Sequence, residues 1–237
     1  MTTNTLKHVA IVAAMHGDEV YGIELYNAIL TKHPELADYI SLIVGNERAY
    51  SERKRYIDTD MNRSFGLAKE SHELQEIARL KTTLRTTKPD YILDIHTTRR
   101  DSGNFFISGE LNASRIAICS LFNFDVCVMK DPVINTSFIG NNSKAISLEY
   151  SLKSIDASTT LNFIENTTKL ITQAPLANAN TNQTIYEVER LISPDEYSSY
   201  SPLVNYEIKN EGTALMVPKD ESEMDAEYFG FWCKEAA

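Results

Sequence analysis

The stretch HVAIVAAMHGDEVYGIELYNAIL, residues 8–30, reads as a strand running into a helix. Residues 8–15 are an apolar run of strand length, and Val20, Ile23, Tyr26 and Leu30 then recur at helical spacing. Pro34 stands just beyond and stops that helix. A second apolar run, YISLIVGN (39–46), follows, so the first 46 residues predict a strand, a crossover helix and a second, parallel strand.

The alternation continues. Leu74, Ile77, Lys81 and Leu84 predict a helix before Pro89, and YILDIH (91–96) is the strand it feeds. ASRIAICSLF (113–122) predicts a helix before the short strand VCVM, KAISLEY (144–150) another strand, and residues 156–173 another helix. Strands separated by helices predict an α/β fold with a mainly parallel or mixed sheet flanked by helices. TQAPLANANTNQ (172–183) has no hydrophobic period and reads as a linker. Beyond it, TIYEVERLI, LVNYEI, ALMVP and EYFGFW are short β-branched or aromatic runs broken by Pro, Gly and Ser. They predict a small β-rich C-terminal domain, residues 179–237, after a larger domain of residues 1–178. Tyr228, Phe229, Phe231 and Trp232 read as the core of that small domain. No internal repeat is visible.

With 237 residues, 43% of them hydrophobic, the chain is long and apolar enough to bury a sizeable core. Lys and Arg number 23 against 33 Asp and Glu, a formal charge of −10, which argues against nucleic acid as a partner. No run approaches the roughly 20 apolar residues of a membrane span, and the polar start MTTNTLKHVA lacks the features of a signal peptide, so a cytoplasmic protein without a membrane partner is expected. Cys119, Cys127 and Cys233 are odd in number and widely spaced, which suggests buried thiols rather than disulfides or a cysteine zinc site.

His16 and Glu19 fall just past the carboxyl end of the first strand, and His96 ends YILDIH in the same topological position, where open α/β sheets place their ligand crevices. Two imidazoles and a carboxylate are a zinc set that leaves a coordination position open. Read alone, His-x-x-Glu is equally a polar turn. RYIDTDMNRSF (55–65) carries two arginines, an Asn-Arg pair and two aspartates. A hydrolase of a carboxylate-bearing amide needs one guanidinium for the developing oxyanion and another to fork onto the carboxylate. The same segment also reads as a solvated loop, since Glu47, Glu52, Asp58 and Asp60 nearly cancel the five cations from Arg48 to Arg63. Asp58 and Asp60 either fix the arginines or are turn residues. Asp94 shares a strand face with His96 and either orients it or contributes only background charge. Glu149 lies near the carboxyl end of its strand, and on its own reads as well as an exposed strand-end glutamate. His8, His33 and His72 read as surface residues, and no GxGxxG follows the first strand to suggest a dinucleotide site.

HGDE, RYIDTDMNRSF, DIHTT and ISLEY, in this order and at these separations, resemble the aspartoacylase and succinylglutamate desuccinylase family, relatives of the zinc carboxypeptidases. The Asp-x-Asp-x-Asn-Arg segment is the most specific match; the motifs span residues 16–150, and the tail resembles the family's small C-terminal domain less distinctively. The resemblance implies one zinc ion per chain held by His16, Glu19 and His96, with Glu149 as the catalytic carboxylate. It further implies Arg55 as the carbonyl-polarising group, Asn62 and Arg63 as the clamp for the substrate carboxylate, and Tyr228 as a substrate contact. The implied activity is zinc-dependent amidohydrolysis of a linear, non-peptide amide: the deacylation of an N-acyl amino acid or similar small molecule, and a homo-oligomer is compatible with it. A metallocarboxypeptidase acting on short peptides and a non-catalytic carboxylate-binding module are the alternatives.

The sequence departs from the family pattern at Asp18, where the family usually has Asn, and at NERA (46–49) in place of NPRA or similar. Family members that read an acidic side chain use a further basic residue upstream of the catalytic glutamate, but NTSFIGNNSK (135–144) holds no arginine. Lys144, or Arg99 and Arg100, are the substitutes the sequence offers.

Overall fold

The computed structural model describes residues 5–68, 70–99, 103–130, 133–173, 183–193, 195–196, 208–209, 213–216 and 230–236. Its elements in chain order are β1 (Val9–Ala13), α1 (Tyr21–Lys32), β2 (Ile40–Val44), α2 (Glu47–Glu52), α3 (His72–Thr87), β3 (Tyr91–Thr98), β4 (Phe105–Ser108) and α4 (Ala113–Phe122). There follow β5 (Asp125–Val128), β6 (Ala145–Ser151), α5 (Ala157–Thr172), β7 (Ile185–Ile192), β8 (Ile208–Lys209), β9 (Thr213–Met216) and β10 (Gly230–Glu235). Residues 174–182 of the expected linker, and Arg100, Tyr228 and Phe229, lie outside the described residues.

The strands form one sheet in the order β2-β1-β3-β6-β4-β5-β7-β10-β9-β8. β1 pairs in parallel with β2 on one side and β3 on the other, and β3 pairs in parallel with β6. The chain thus winds away from β1 in both directions, and the carboxyl ends of β1 and β3 flank the switch point where such sheets open a crevice. β4 runs antiparallel to β6 and parallel to β5, which makes the sheet mixed. The β-rich tail extends it: β7 pairs in parallel with β5, and β10, β9 and β8 add antiparallel strands outward.

Every residue of β1 is buried because both faces of the sheet are covered. Val9, Ile11 and Ala13 join a core with Leu25 and Ile29 of α1, Ile118 and Phe122 of α4, and Phe163 and Leu170 of α5. Ala10 and Val12 point the other way, into a core with Ile77, Leu80 and Leu84 of α3. Phe231 and Cys233 of β10 belong to this second core, and Trp232 is also buried. The three thiols are free and buried, and burial pushes that of Cys119 up to about 12. Among the described residues no helix is long and apolar enough to cross a membrane.

The helical spacing places α1 correctly, and the structure shows which of its faces is most deeply buried. Tyr21, Gly22, Leu25 and Ile29 are buried, whereas Val20 is exposed and Ile23, Tyr26 and Leu30 only partly covered. Both sets have helical period, and Gly22 decides between them. A Cβ on Gly22 would stand 2.7 Å from the Ala13 Cβ and 2.9 Å from the Ile95 Cβ, so the missing side chain lets that face rest on β1 and β3. Among the elements absent from the sequence reading are the six-residue α2, capped by the Asn46 side chain accepting from Ala49 N, and the four-residue β4.

Gly22→Val would insert branched carbon into this contact, where overpacking costs about 1–3 kcal/mol. A fall in Tm of roughly 3–10 °C is expected by calorimetry; an unchanged Tm would show that α1 does not rest on Gly22.

Candidate metal centre

The loop after β1 is shaped by close backbone packing. Asn46 N donates to Ala14 O at 3.0 Å and Gly17 N to Arg55 O at 3.1 Å. A Cβ on Gly17 would lie 2.1 Å from the carbonyl carbon of Ala49, so only glycine lets the loop sit on α2. The turn closed by Glu19 N on His16 O, 2.9 Å, folds the two side chains onto one another. His96 reaches the same point from β3.

Glu19 is the hub. Its Oε1 lies 2.7 Å from His16 Nδ1 and its Oε2 2.9 Å from His96 Nδ1, while Thr97 N donates to Oε2 at 3.1 Å. The two imidazole centroids are 5.2 Å apart. One ligating atom from each of His16, Glu19 and His96 lies within 4.8 Å of the others, and all three residues are buried. The outer ring nitrogens are also held: His16 Nε2 lies 3.2 Å from Asp60 Oδ1, and His96 Nε2 3.0 Å from Asp94 Oδ2. Ser147 Oγ donates to that same Asp94 oxygen at 2.7 Å, and the other, Oδ1, is buried with no hydrogen-bond partner among the described residues. Both Nδ1 atoms therefore converge on one side, with carboxylates behind them, the arrangement that fixes histidines as metal ligands.

The electrostatics ask for positive charge at this point. Burial alone would push the Glu19 carboxyl up, but the facing imidazoles of His16 and His96 hold it well below the usual range. Burial opposes charging of His96 as well, and the carboxylates of Asp94 and Glu19 outweigh it and raise the ring well above its ordinary value. His16 is raised in the same way, burial being outweighed by Glu19 and Asp60. A divalent cation at this point would answer the same carboxylates that raise the two imidazoles, and two nitrogens with one carboxylate suit zinc.

Glu149 stands in register with His96 across the β3/β6 pair, so its side chain emerges on the same face. Burial, together with the Glu19 and Asp94 carboxylates, raises its carboxyl to about 6, against the opposing pull of the two histidines. Arg55 Nη1 donates to Glu19 Oε1 at 3.2 Å, and Nη2 lies 3.7 Å from Asp60 Oδ2. Asn62 N donates to Asp60 Oδ1 at 2.8 Å, and Asn62 Oδ1 accepts from Phe138 N at 2.8 Å, which leaves Nδ2 as the side-chain group to meet a ligand. Arg63 Nη1 donates to Asn62 O at 3.0 Å.

The arginine segment hangs on a residue the sequence reading passed over. Glu73, fully buried in the first turn of α3, accepts from Ile57 N, Asp58 N, Thr59 N and Asn46 Nδ2. Asp58 returns the contact, its Oδ2 accepting from His72 N at 2.7 Å. Glu73 sits beside the apolar Leu74 and carries no pattern that marks it, whereas Ser147 did: a small polar residue inside an apolar strand, two before Glu149 and so on its face. Asp60, weighed only as an arginine anchor or turn residue, also contacts His16. Lys144 is misplaced as a substrate reader; it precedes β6, at the end of the strand opposite Glu149, and its Nζ donates to Pro89 O. Arg99 is exposed 3.8 Å from Asp18. Tyr228 and Arg100 lie outside the described residues.

Residues 5–174 match the family model described as the succinylglutamate desuccinylase/aspartoacylase catalytic domain. The chain belongs to this family. It is 34% identical over 113 residues to a probable aspartoacylase of Prochlorococcus marinus (strain MIT 9515), a match covering 42% of this chain and 37% of that protein. It is 30% identical over 112 residues to an N-acyl-aromatic-L-amino acid amidohydrolase (carboxylate-forming) A of Danio rerio, covering 40% and 34%. The matched stretch thus spans little more than a third of either relative's length. The fold is similar to a succinylglutamate desuccinylase from Chromobacterium violaceum (TM-score 0.76, 17% identity, 98% of this chain and 85% of that one). It is also similar to murine aminoacylase 3 (TM-score 0.72, 16% identity, 99% and 97%). The desuccinylase/aspartoacylase match contains His16, Glu19, His96, Arg55, Asn62, Arg63 and Glu149, while β7 to β10 lie beyond it and are covered by the fold likeness alone.

In this family member, Glu73→Gln would put an amide donor against backbone N–H groups and leave a buried donor unsatisfied, at a cost of about 1–3 kcal/mol. A Tm lowered by roughly 3–10 °C is expected; a variant melting with the parent would show that the 57–59 loop does not depend on the carboxylate.

Proposed function

We propose that the chain is a zinc-dependent amidohydrolase that cleaves the amide bond of an N-acyl amino acid or a similarly small, carboxylate-bearing amide. The observation that carries this reading is the convergence of two Nδ1 atoms and the Glu19 carboxylate on the strand face that also carries Glu149, half-buried and with its carboxyl raised to about 6. His16, Glu19 and His96 would hold the zinc. Bound there, zinc supplies Lewis acidity toward a water and the scissile carbonyl.

The chain's own groups do the rest. Glu149 accepts a proton from the attacking water and delivers it to the leaving amine nitrogen, so one carboxylate matches bond formation at carbon with cleavage of the carbon–nitrogen bond. Arg55, whose guanidinium already lies against Glu19, offers a donor to the developing oxyanion. Asn62 Nδ2 and Arg63 take the substrate carboxylate, and Tyr228 is kept as a further substrate contact. Asp94 and Asp60 hold the outer nitrogens of the histidines and keep the Nδ1 atoms turned inward. The family's named relatives, a probable aspartoacylase and an N-acyl-aromatic-L-amino acid amidohydrolase, support this class of substrate.

Zinc-loaded protein assayed against a panel of N-acetylated single amino acids and against tetrapeptides with a free carboxyl end tests the reading. Turnover of the acyl amino acids is expected, and preferential cleavage of the tetrapeptides would make the chain a carboxypeptidase instead. Glu149→Gln should lower kcat by on the order of 10²–10⁴ with zinc content retained. Binding of acyl amino acids without turnover in zinc-replete protein would point to a non-catalytic module.

A further inference from the structure

Away from the metal cluster, α3 and the loop entering β6 enclose a cleft of about 490 Å³. Phe65, Leu84, Ile92 and Phe138 give it an apolar floor, and Lys81, Arg85, Lys88 and Lys144 stand around it. The chain carries ten more acidic than basic residues, and several of its cations outside the cleft, Arg48, Lys54, Arg79, Lys130 and Lys234 among them, are in ion pairs with carboxylates. Lys81 lies 5.7 Å above the Phe65 ring and Lys144 Nζ donates to Pro89 O at 2.8 Å, and among the described residues neither is in an ion pair with a carboxylate.

Local rules explain only part of this grouping. Arg85 and Lys88 close α3, where the helix end favours cations. Lys81 sits a turn earlier, and Lys144 comes from a different element altogether. Cations converging from two elements repel one another across the cleft, and an anion between them would relieve that repulsion. The walls are also pre-formed by bonds that do not involve a ligand. Phe138 N is held by Asn62 Oδ1 and Phe65 N by Thr136 O, while Arg115, buried in α4, donates to the carbonyls of Ile139 and Asn142. A fixed concavity of this size, with an apolar floor and a few charged groups, has the form of a small-molecule site.

We propose that this cleft binds a small organic anion of charge near −2, its apolar body on the Leu84 and Ile92 floor and its anionic group among Arg85, Lys88 and Lys144. This site is distinct from the metal centre and stands independently of the deacylase reading.

Phenyl phosphate is a suitable probe, with inorganic phosphate as the control that lacks an apolar body, titrated calorimetrically into metal-free protein at low salt. A Kd of about 1 mM or tighter is expected for phenyl phosphate, with inorganic phosphate several-fold weaker and both weakened by salt. R85E/K144E should lose at least about tenfold in affinity, whereas R63A, altered in the proposed clamp, should bind as the parent does. The reversed positions are exposed, so a native circular dichroism spectrum is expected; should the pair fail to fold, K81E/K88E reads the same site. No binding by the parent up to about 10 mM, undiminished binding by the reversed variants, or loss confined to R63A would each overturn the proposal.

Discussion

The structure turns on one buried carboxylate. Glu19 touches an imidazole with each oxygen, and those imidazoles come from elements eighty residues apart in sequence. A buried carboxylate is tolerable only when its charge is answered. Here the answer comes from His16, His96, the Thr97 amide and Arg55 together. The same contact therefore ties the loop after β1 to the end of β3 at the switch point of the sheet, and makes that point the place where a cation fits.

Further acids hold the histidines and the arginine segment in place. Asp60 and Asp94 hold the outward nitrogens of the histidines, and Asp60 also receives Asn62 N and lies near Arg55. Glu73 then fixes the backbone of residues 57–59 from beneath. The arginine segment is a loop in name only, because its amides are spent on carboxylates that the neighbouring helix and its own aspartates provide. Such preorganisation lets long, flexible arginines face a site without a large entropic cost.

Much of this was legible in the sequence, for identifiable reasons. Strand ends are marked by the change from an apolar run to polar residues, so His16, His96 and Glu149 could each be put at the carboxyl edge of the sheet, and they are there. The resemblance suggested roles for the arginine segment, which composition alone could not separate from a solvated loop; the structure shows that its backbone is held by carboxylates. What the sequence did not show was decided by tertiary contact. The phase of α1 depends on Gly22 meeting Ala13 and Ile95, β4 is only four residues long, and Glu73 looks like any first-turn helix acid. Lys144 precedes Glu149 by five residues, which in an extended strand carries it to the opposite edge of the sheet. The tail was readable as β-rich; that its strands continue the main sheet through β5 and β7 depends on pairing no local pattern announces.

The most direct test is the zinc content of the purified protein joined to an anomalous difference map of its crystals at the zinc edge. One ion per chain is expected, about 2.0–2.1 Å from the Nδ1 atoms of His16 and His96 and bound by Glu19, and lost when His96 is replaced by alanine. A chain that takes up no zinc at saturating concentration, or an ion bound elsewhere while Glu19 keeps its two histidines, would contradict it.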